Sequence, residues 1–396
     1  MARSSADRCR TLDGLVTAVA ALSVAPAGSR PDGASIGIPY SPLQKAAMTS
    51  IDSILRGYLS DNAAGASPQI LDAVVAASAG PAAPYGNDAL TAQMRAKMAA
   101  AFECDLDVFA AGTGSAANGI GLAALTRPWG SILAHADSHI NNDEAGAPEF
   151  FTDGSKIVLL GGAHSKIDPD ELRAAVNAGR GDVHSVQPSV LSITQVTETG
   201  SVYTINELRE LTTIARDAGL RIHMDGARFT NALVALDVSP AEMTWKLGVD
   251  ILSFGATKNG ALTADAIVSF DPTLATELSF RHKRGGQLTS KMRFQTAQLD
   301  AYLTDDLWLE NARQANAMAA RLRAGIVDVA GVTVTNEPGS NILFAIFPDE
   351  LSDALHDRGF GFYTDRWGPG IVRIVVSFVH QAVDIDEFVA AIRELA

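Results

Sequence analysis

Only two cysteines, Cys9 and Cys104, occur in 396 residues, and neither belongs to a Cys-x-x-Cys pair. That excludes a disulfide framework and points to a reducing compartment, so a cytoplasmic location is expected. Basic side chains are also in short supply: 31 Lys and Arg stand against 45 Asp and Glu, a formal net charge of −14. Such a surface repels nucleic acid and anionic membranes, so neither is expected as a partner. Charged residues are 19% of the chain against 47% hydrophobic ones, the balance of a globular protein that buries much of its surface. No apolar run approaches the ~20 residues that a membrane span requires. Internal repeats are absent too. The length exceeds what one small core needs, so one large domain (48–300) and one smaller one (301–396) are expected.

Residues 1–47 have a different texture. Arg3, Arg8 and Arg10 precede an apolar stretch at 15–22, and an Ala/Pro/Gly/Ser-rich run follows to Ser35. This imitates a secretory signal, but the apolar part is alanine-rich with Asp13 at its edge, so a poorly ordered extension is expected instead. From Ser67 the pattern becomes regular. Ser67-Pro68 opens a helix, a second runs over 88–102, and strands at 107–111, 131–135, 156–160 and 190–195 alternate with helices. Thr204 and Glu207 have capping-box spacing, and the helix they open should stop near Gly219. Alternation of this kind is the signature of an α/β fold, with a mainly parallel sheet covered on both faces. After residue 300 a long helix leads to strands at 332–335, 341–347 and 371–378, with helices at 349–357 and 383–395.

Two stretches carry chemistry. Asp250-Ile251-Leu252-Ser253-Phe254-Gly255-Ala256-Thr257-Lys258-Asn259-Gly260 reads as a short buried strand that offers one lysine at its mouth. Upstream, Arg221-Ile222-His223-Met224-Asp225-Gly226-Ala227-Arg228 is a strand closing on an aspartate. A surface lysine and a capping aspartate would explain each alone. Together they suit pyridoxal phosphate: the lysine forms a Schiff base with the aldehyde, and the aspartate keeps the ring nitrogen protonated. Gly112-Thr113-Gly114-Ser115-Ala116-Ala117-Asn118 turns a strand into a helix N-terminus that could hold a phosphate, although an ordinary tight turn fits equally well. It is no dinucleotide fingerprint, because Ala117 stands where the last glycine is needed, and no Gly-Lys-Ser/Thr follows. His135 and His139 lie four apart without a His-Glu-x-x-His helix, so no metal is expected; His139 suits stacking on an aromatic ring. Arg228 and Arg373, the latter a lone charge inside an apolar strand, are candidates for gripping an α-carboxylate. An interdomain salt bridge is the other reading of Arg373.

These motifs are recognisable. Ser60-Asp61-Asn62-Ala63-Ala64-Gly65, Tyr85-Gly86-Asn87-Asp88, the 113–118 turn, His139 with 143–151, the segments 223–231 and 253–260, and Ser290-Lys291-Met292-Arg293-Phe294 together resemble the L-threonine aldolases of the β-eliminating lyase group, closest to the bacterial low-specificity branch. The resemblance runs from Tyr58 to the C-terminus. It implies fold type I, pyridoxal phosphate as cofactor, and cleavage of L-threonine or L-allo-threonine to glycine and an aldehyde; another lyase or racemase acting on a small amino acid is the alternative. It implies that Lys258 binds the cofactor aldehyde, Asp225 pairs with the ring nitrogen, His139 stacks on the ring, and Gly114 and Ser115 hold the phosphate. Arg293 would reach the phosphate of a neighbouring subunit, which implies a homodimer or homotetramer. Ser60, Arg228 and Arg373 match a substrate carboxylate pocket that Tyr85 lines. Other branches carry histidine where Thr197-Glu198-Thr199 has Glu198, which either serves as base or shapes the loop.

Overall fold

The computed structural model describes residues 56–396. The extension at 1–47, with its signal-like run and Cys9, lies outside the described residues.

Seven strands form the first sheet: β1 (Asp107–Ala111), β2 (Gly130–His135), β3 (Lys156–Leu160), β4 (Gln187–Thr194), β5 (Arg221–Gly226), β6 (Ile251–Phe254) and β7 (Asp265–Ser269). Their order is β1-β7-β6-β5-β4-β2-β3. The run β3-β2-β4-β5-β6 is parallel, as the alternation of strands and helices requires. β7 runs the other way, paired antiparallel with both β6 and β1. The sequence pattern did not reveal β7: a five-residue buried run carries no sign of its direction. Because two reversals cancel, β1 still ends on the same edge of the sheet as β4, β5 and β6.

Two of the expected caps form as the sequence put them. Asp88 accepts from Thr91 N to open the Ala89–Phe102 helix, and the box of Thr204 and Glu207 opens Ile205–Asp217. Ser67 precedes Pro68–Ala77 as expected, but its hydroxyl accepts instead from Asn311 Nδ2. The sheet's main core gathers Phe102, Phe229, Phe254, Tyr302 and Trp308 in tilted and edge-to-face contact. Each such ring contributes on the order of 2 kcal/mol by leaving water.

A second, four-stranded antiparallel sheet has the order β10-β11-β9-β8, from β8 (Thr333–Val334), β9 (Ile342–Ile346), β10 (Tyr363–Thr364) and β11 (Ile371–Val375). The Leu307–Ile326 helix leads to it, and Asp349–Asp357 and Ala382–Leu395 pack on it. Tyr58 belongs to this core although it precedes the first sheet: its ring stacks on Phe388 and His380, and its carbonyl accepts from Val375 N. The segment that follows Tyr58 is thereby aimed at the seam where the functional residues collect. Among the described residues no helix is long and apolar enough to cross a membrane.

Candidate active site

Register brings the two chemical stretches together. Thr194 pairs with Asp225, and Asp225 with Ser253, so the loops leaving β4 and β6 flank the aspartate that ends β5. The first loop carries Glu198 and the second Lys258, and all three residues line one cavity of about 300 Å³. Two features hold the lysine loop. Asp265, at the start of β7, accepts from Ala256 N and Thr257 N at 2.9 and 3.0 Å. Gly255 approaches β5 so closely that a Cβ there would lie 2.5 Å from the carbonyl oxygen of Ala227. Lys258 is less basic than an ordinary lysine, because burial and the nearby Arg228 outweigh the attraction of Asp61, Glu198 and Asp225. That favours the free amine a nucleophile needs.

A chain of hydrogen bonds ties Asp225 to His139. Asn118 Nδ2 donates to Asp225 Oδ2 at 3.0 Å and to Glu144 Oε1 at 2.8 Å, and His139 Nδ1 donates to the same Glu144 oxygen at 2.8 Å. Asp225 Oδ1 accepts from Ala227 N. Burial pulls the His139 pKa down, yet the Glu144 bond and the charges of Asp225 and Glu198 raise it above the ordinary value. His135 takes no part: its Nε2 bonds Gly162 O and its Nδ1 accepts from Asp137 N.

At the other end of the cavity the Gly114–Leu125 helix begins. Thr113 caps it, accepting from Ala116 N at 3.1 Å, and the first-turn N–H groups of Gly114 and Ser115 have no intrahelical partner. Thr257 Oγ1 is buried there without a hydrogen-bond partner among the described residues. Unpaired donors, a helix N-terminus and a buried hydroxyl form a cradle suited to a phosphate.

On the substrate side, the expected roles separate. Arg228 is buried, and its Nε and Nη2 donate to Asp61 Oδ2 and Oδ1 at 2.6 and 2.9 Å. Asn341 adds a third bond to Asp61 at 3.1 Å. The fork expected to grip a carboxylate ligand is thus already engaged by one inside the chain. Arg373 differs: its Nε is buried without a partner among the described residues, and its pKa is pulled down to about 10 by burial and the neighbouring Arg228. Ser60 caps the turn at Asp61–Ala63, accepting from Asn62 N at 3.2 Å.

Ser60, Arg228, Arg373, Tyr85 and Arg293 are not among the residues lining the Lys258 cavity of their own chain, although Arg228 stands close enough for its charge to act on both Lys258 and Arg373. Tyr85 is exposed, with Lys283 Nζ 4.9 Å from its ring centre, and Arg293 Nη1 donates to Gly80 O at 3.0 Å. The two segments meet through Tyr85 N and Ser290 O, on a surface of their own. Within a single chain Tyr85 stands outside this cavity, its loop tied to the 290 segment.

The model of the beta-eliminating lyase family matches residues 58–347. The chain belongs to that family. Within it, the chain is 40% identical to the low specificity L-threonine aldolase of Pseudomonas aeruginosa, over 86% of this chain and 95% of that one. It is 38% identical to the corresponding protein of a Pseudomonas species, over 85% and 96%. The solved threonine aldolase of Leishmania major superposes with a TM-score of 0.80 at 28% identity, over 86% of this chain and 99% of that one. The fold is the type I fold of pyridoxal phosphate enzymes, and the cavity's residues fit that group: a lysine of lowered basicity, a hydrogen-bonded aspartate, a cradle of unpaired donors and an imidazole.

Five residues of this beta-eliminating lyase's site escaped the reading of the sequence: Asp61, Asn118, Glu144, Thr257 and Asp265. All but Asp265 lie inside the quoted motifs. What singles out Asn118 and Asp61 is a partner far along the chain, 107 and 167 positions away. Asp265 had no signal beyond being an acid ahead of a short apolar run.

Proposed function

We propose that the chain catalyses the cleavage of L-threonine, L-allo-threonine and related β-hydroxy-α-amino acids to glycine and an aldehyde, with pyridoxal phosphate. The observation that carries this reading is the shared lining of Lys258, Asp225, His139 and Glu198 in one cavity, in a chain 40% identical to a low specificity L-threonine aldolase. When bound, pyridoxal phosphate supplies a sink for the electron pair left at Cα as a bond there breaks.

Lys258 would offer its Nζ to the cofactor aldehyde, and Asp225, held by Asn118 Nδ2, would keep a proton on the ring nitrogen. His139, oriented by Glu144, would stack on the ring, and Gly114, Ser115 and Thr257 would hold the phosphate. Arg373, with its buried Nε unpaired, takes the substrate's α-carboxylate, and Ser60 adds a hydroxyl beside it. Arg228, locked on Asp61, supplies positive charge behind them. This grip would fix the substrate's orientation about N–Cα and so select which Cα bond is placed to break. Glu198, which makes no hydrogen bond among the described residues, accepts the β-hydroxyl proton on its carboxylate, and that directs cleavage to Cα–Cβ.

The low cysteine content favours a cytoplasmic setting. Tyr85 and Arg293, away from the cavity of their own chain, favour a homodimer or homotetramer in which they complete a neighbour's site.

The test is incubation of purified protein, loaded with pyridoxal phosphate, with L-threonine, L-allo-threonine and their D-isomers. Glycine and acetaldehyde in equal amounts from the L-isomers are expected. Racemisation without aldehyde, or a 2-oxo acid with ammonia, would assign a different reaction to the same site. A protein that stays colourless with the cofactor would remove the reading altogether.

A further inference from the structure

Among the described residues Arg373 has no ion pair to aim it, yet a carboxylate anchor must be aimed. What meets it is an aromatic face. On the second sheet Tyr363, Arg373 and Phe344 stand opposite one another across β10, β11 and β9, so their side chains share one side. Trp367 covers that side. Its ring centre lies 5.1 Å from that of Phe344 and 6.3 Å from that of Tyr363, both edge-on, and the Arg373 guanidinium carbon stands 5.5 Å from it.

The loop that carries Trp367 is built to hold a fixed shape. Asp365 and Gly370 both adopt positive φ, and Asp365 Oδ1 accepts from Gly370 N at 2.8 Å. Arg366 lies 5.1 Å from the same indole, and its Nη2 donates to Asp143 Oδ1 at 2.6 Å. Asp143 immediately precedes Glu144, the carboxylate that orients His139. One loop of the second sheet therefore touches both the free arginine and the segment that positions the imidazole.

We propose that Trp367 is a positioning residue that sets the direction of the Arg373 guanidinium, and that the Arg366–Asp143 ion pair seats its loop against the His139–Glu144 segment. The inference rests on the reading of Arg373 as the carboxylate anchor. Both members of the ion pair are more than a third exposed, so that contact contributes little alone and the indole carries the larger share. A guanidinium over an indole is attracted to the ring's negative face and loses freedom to swing away, while its N–H edges stay available for a carboxylate.

The experiment measures binding rather than turnover, by calorimetric titration of the holoprotein with glycine and with glycinamide, whose carboxylate is masked. Trp367→Ala is expected to weaken glycine binding by about three- to tenfold, in keeping with the strength of a partly buried cation–π contact, and to leave glycinamide unchanged. Trp367→Phe should recover most of the loss, because it restores an aromatic face. Arg366→Ala should weaken glycine less than Trp367→Ala does. Equal weakening of glycine and glycinamide by Trp367→Ala, or no change in either, overturns the proposal; so does failure of Trp367→Phe to rescue. Wild-type protein that binds glycine but cleaves no L-threonine refutes the proposed reaction and leaves the positioning role standing.

Discussion

At the scale of single residues, burial makes charge placement decisive. Asp61 and Arg228 are both buried and joined by two bonds, so neither charge is tolerated without the other. Asp61→Asn should destabilise the fold by roughly 3–5 kcal/mol, the cost of a buried charge left without its partner, and urea denaturation will measure it. A loss within experimental error would show that Arg228 has water or another acid to turn to. Glu144→Gln has a different signature. It removes the charge that keeps the His139 proton, so the pH–activity limb belonging to His139 should move to lower pH while cofactor content stays unchanged. His223 acts on stability. It is fully buried between Ser192 Oγ and Ser253 Oγ, at 2.9 and 3.0 Å, and burial lowers its pKa to about 4. The unfolded chain therefore binds a proton that the folded one refuses between pH 6.5 and 4. Stability is complete above pH 6.5 and falls as the pH drops through that window, by on the order of 3 kcal/mol. In His223→Asn the slope of unfolding free energy over that window should flatten; an unchanged slope would assign it to other groups.

At the scale of elements, the strand ends are held by backbone contact as much as by side chains. β5 and β6 converge where Gly255 meets the carbonyl of Ala227. Gly255→Ala forces a methyl group into that contact, and overpacking of this kind costs about 1–3 kcal/mol. The strain falls between Asp225 and Lys258, so cofactor retention should drop along with the melting temperature. Absorbance of the bound cofactor after gel filtration reports the first, and thermal denaturation the second. Full retention would show that the lysine loop moves independently of β5. The reversed β7 belongs to this scale too: only because it runs antiparallel does Asp265 stand at the edge where the Lys258 loop turns.

At the scale of the whole molecule, the cavity and the Tyr85–Arg293 surface are separate in one chain, and a closed oligomer would join them. Complementation tests this. Lys258→Ala and Arg293→Ala should each be inactive, whereas hybrids formed by mixing and reassociating them should regain activity, since one site then draws Lys258 and Arg293 from different subunits. Inactive hybrids, once mass measurement proves they have formed, would mean that Arg293 acts within its own chain or not at all.

The sequence by itself determined what is local. Helix starts at Asp88 and Thr204 were legible because a cap and its N–H lie three residues apart. Lys258 and Asp225 were legible because a buried strand that stops at a polar residue says where its chemistry points. Arg373 stood out as a charge inside an apolar run. Tertiary structure decided which groups are spoken for and which are free. That Arg228 is satisfied by Asp61, that Asn118 and Glu144 link Asp225 to His139, and that Trp367 faces Arg373 all depend on strand order and on the packing of two sheets. Hydrogen bonds across such distances leave no periodicity in the chain, because each is set by how separate elements meet rather than by the conformation of either one.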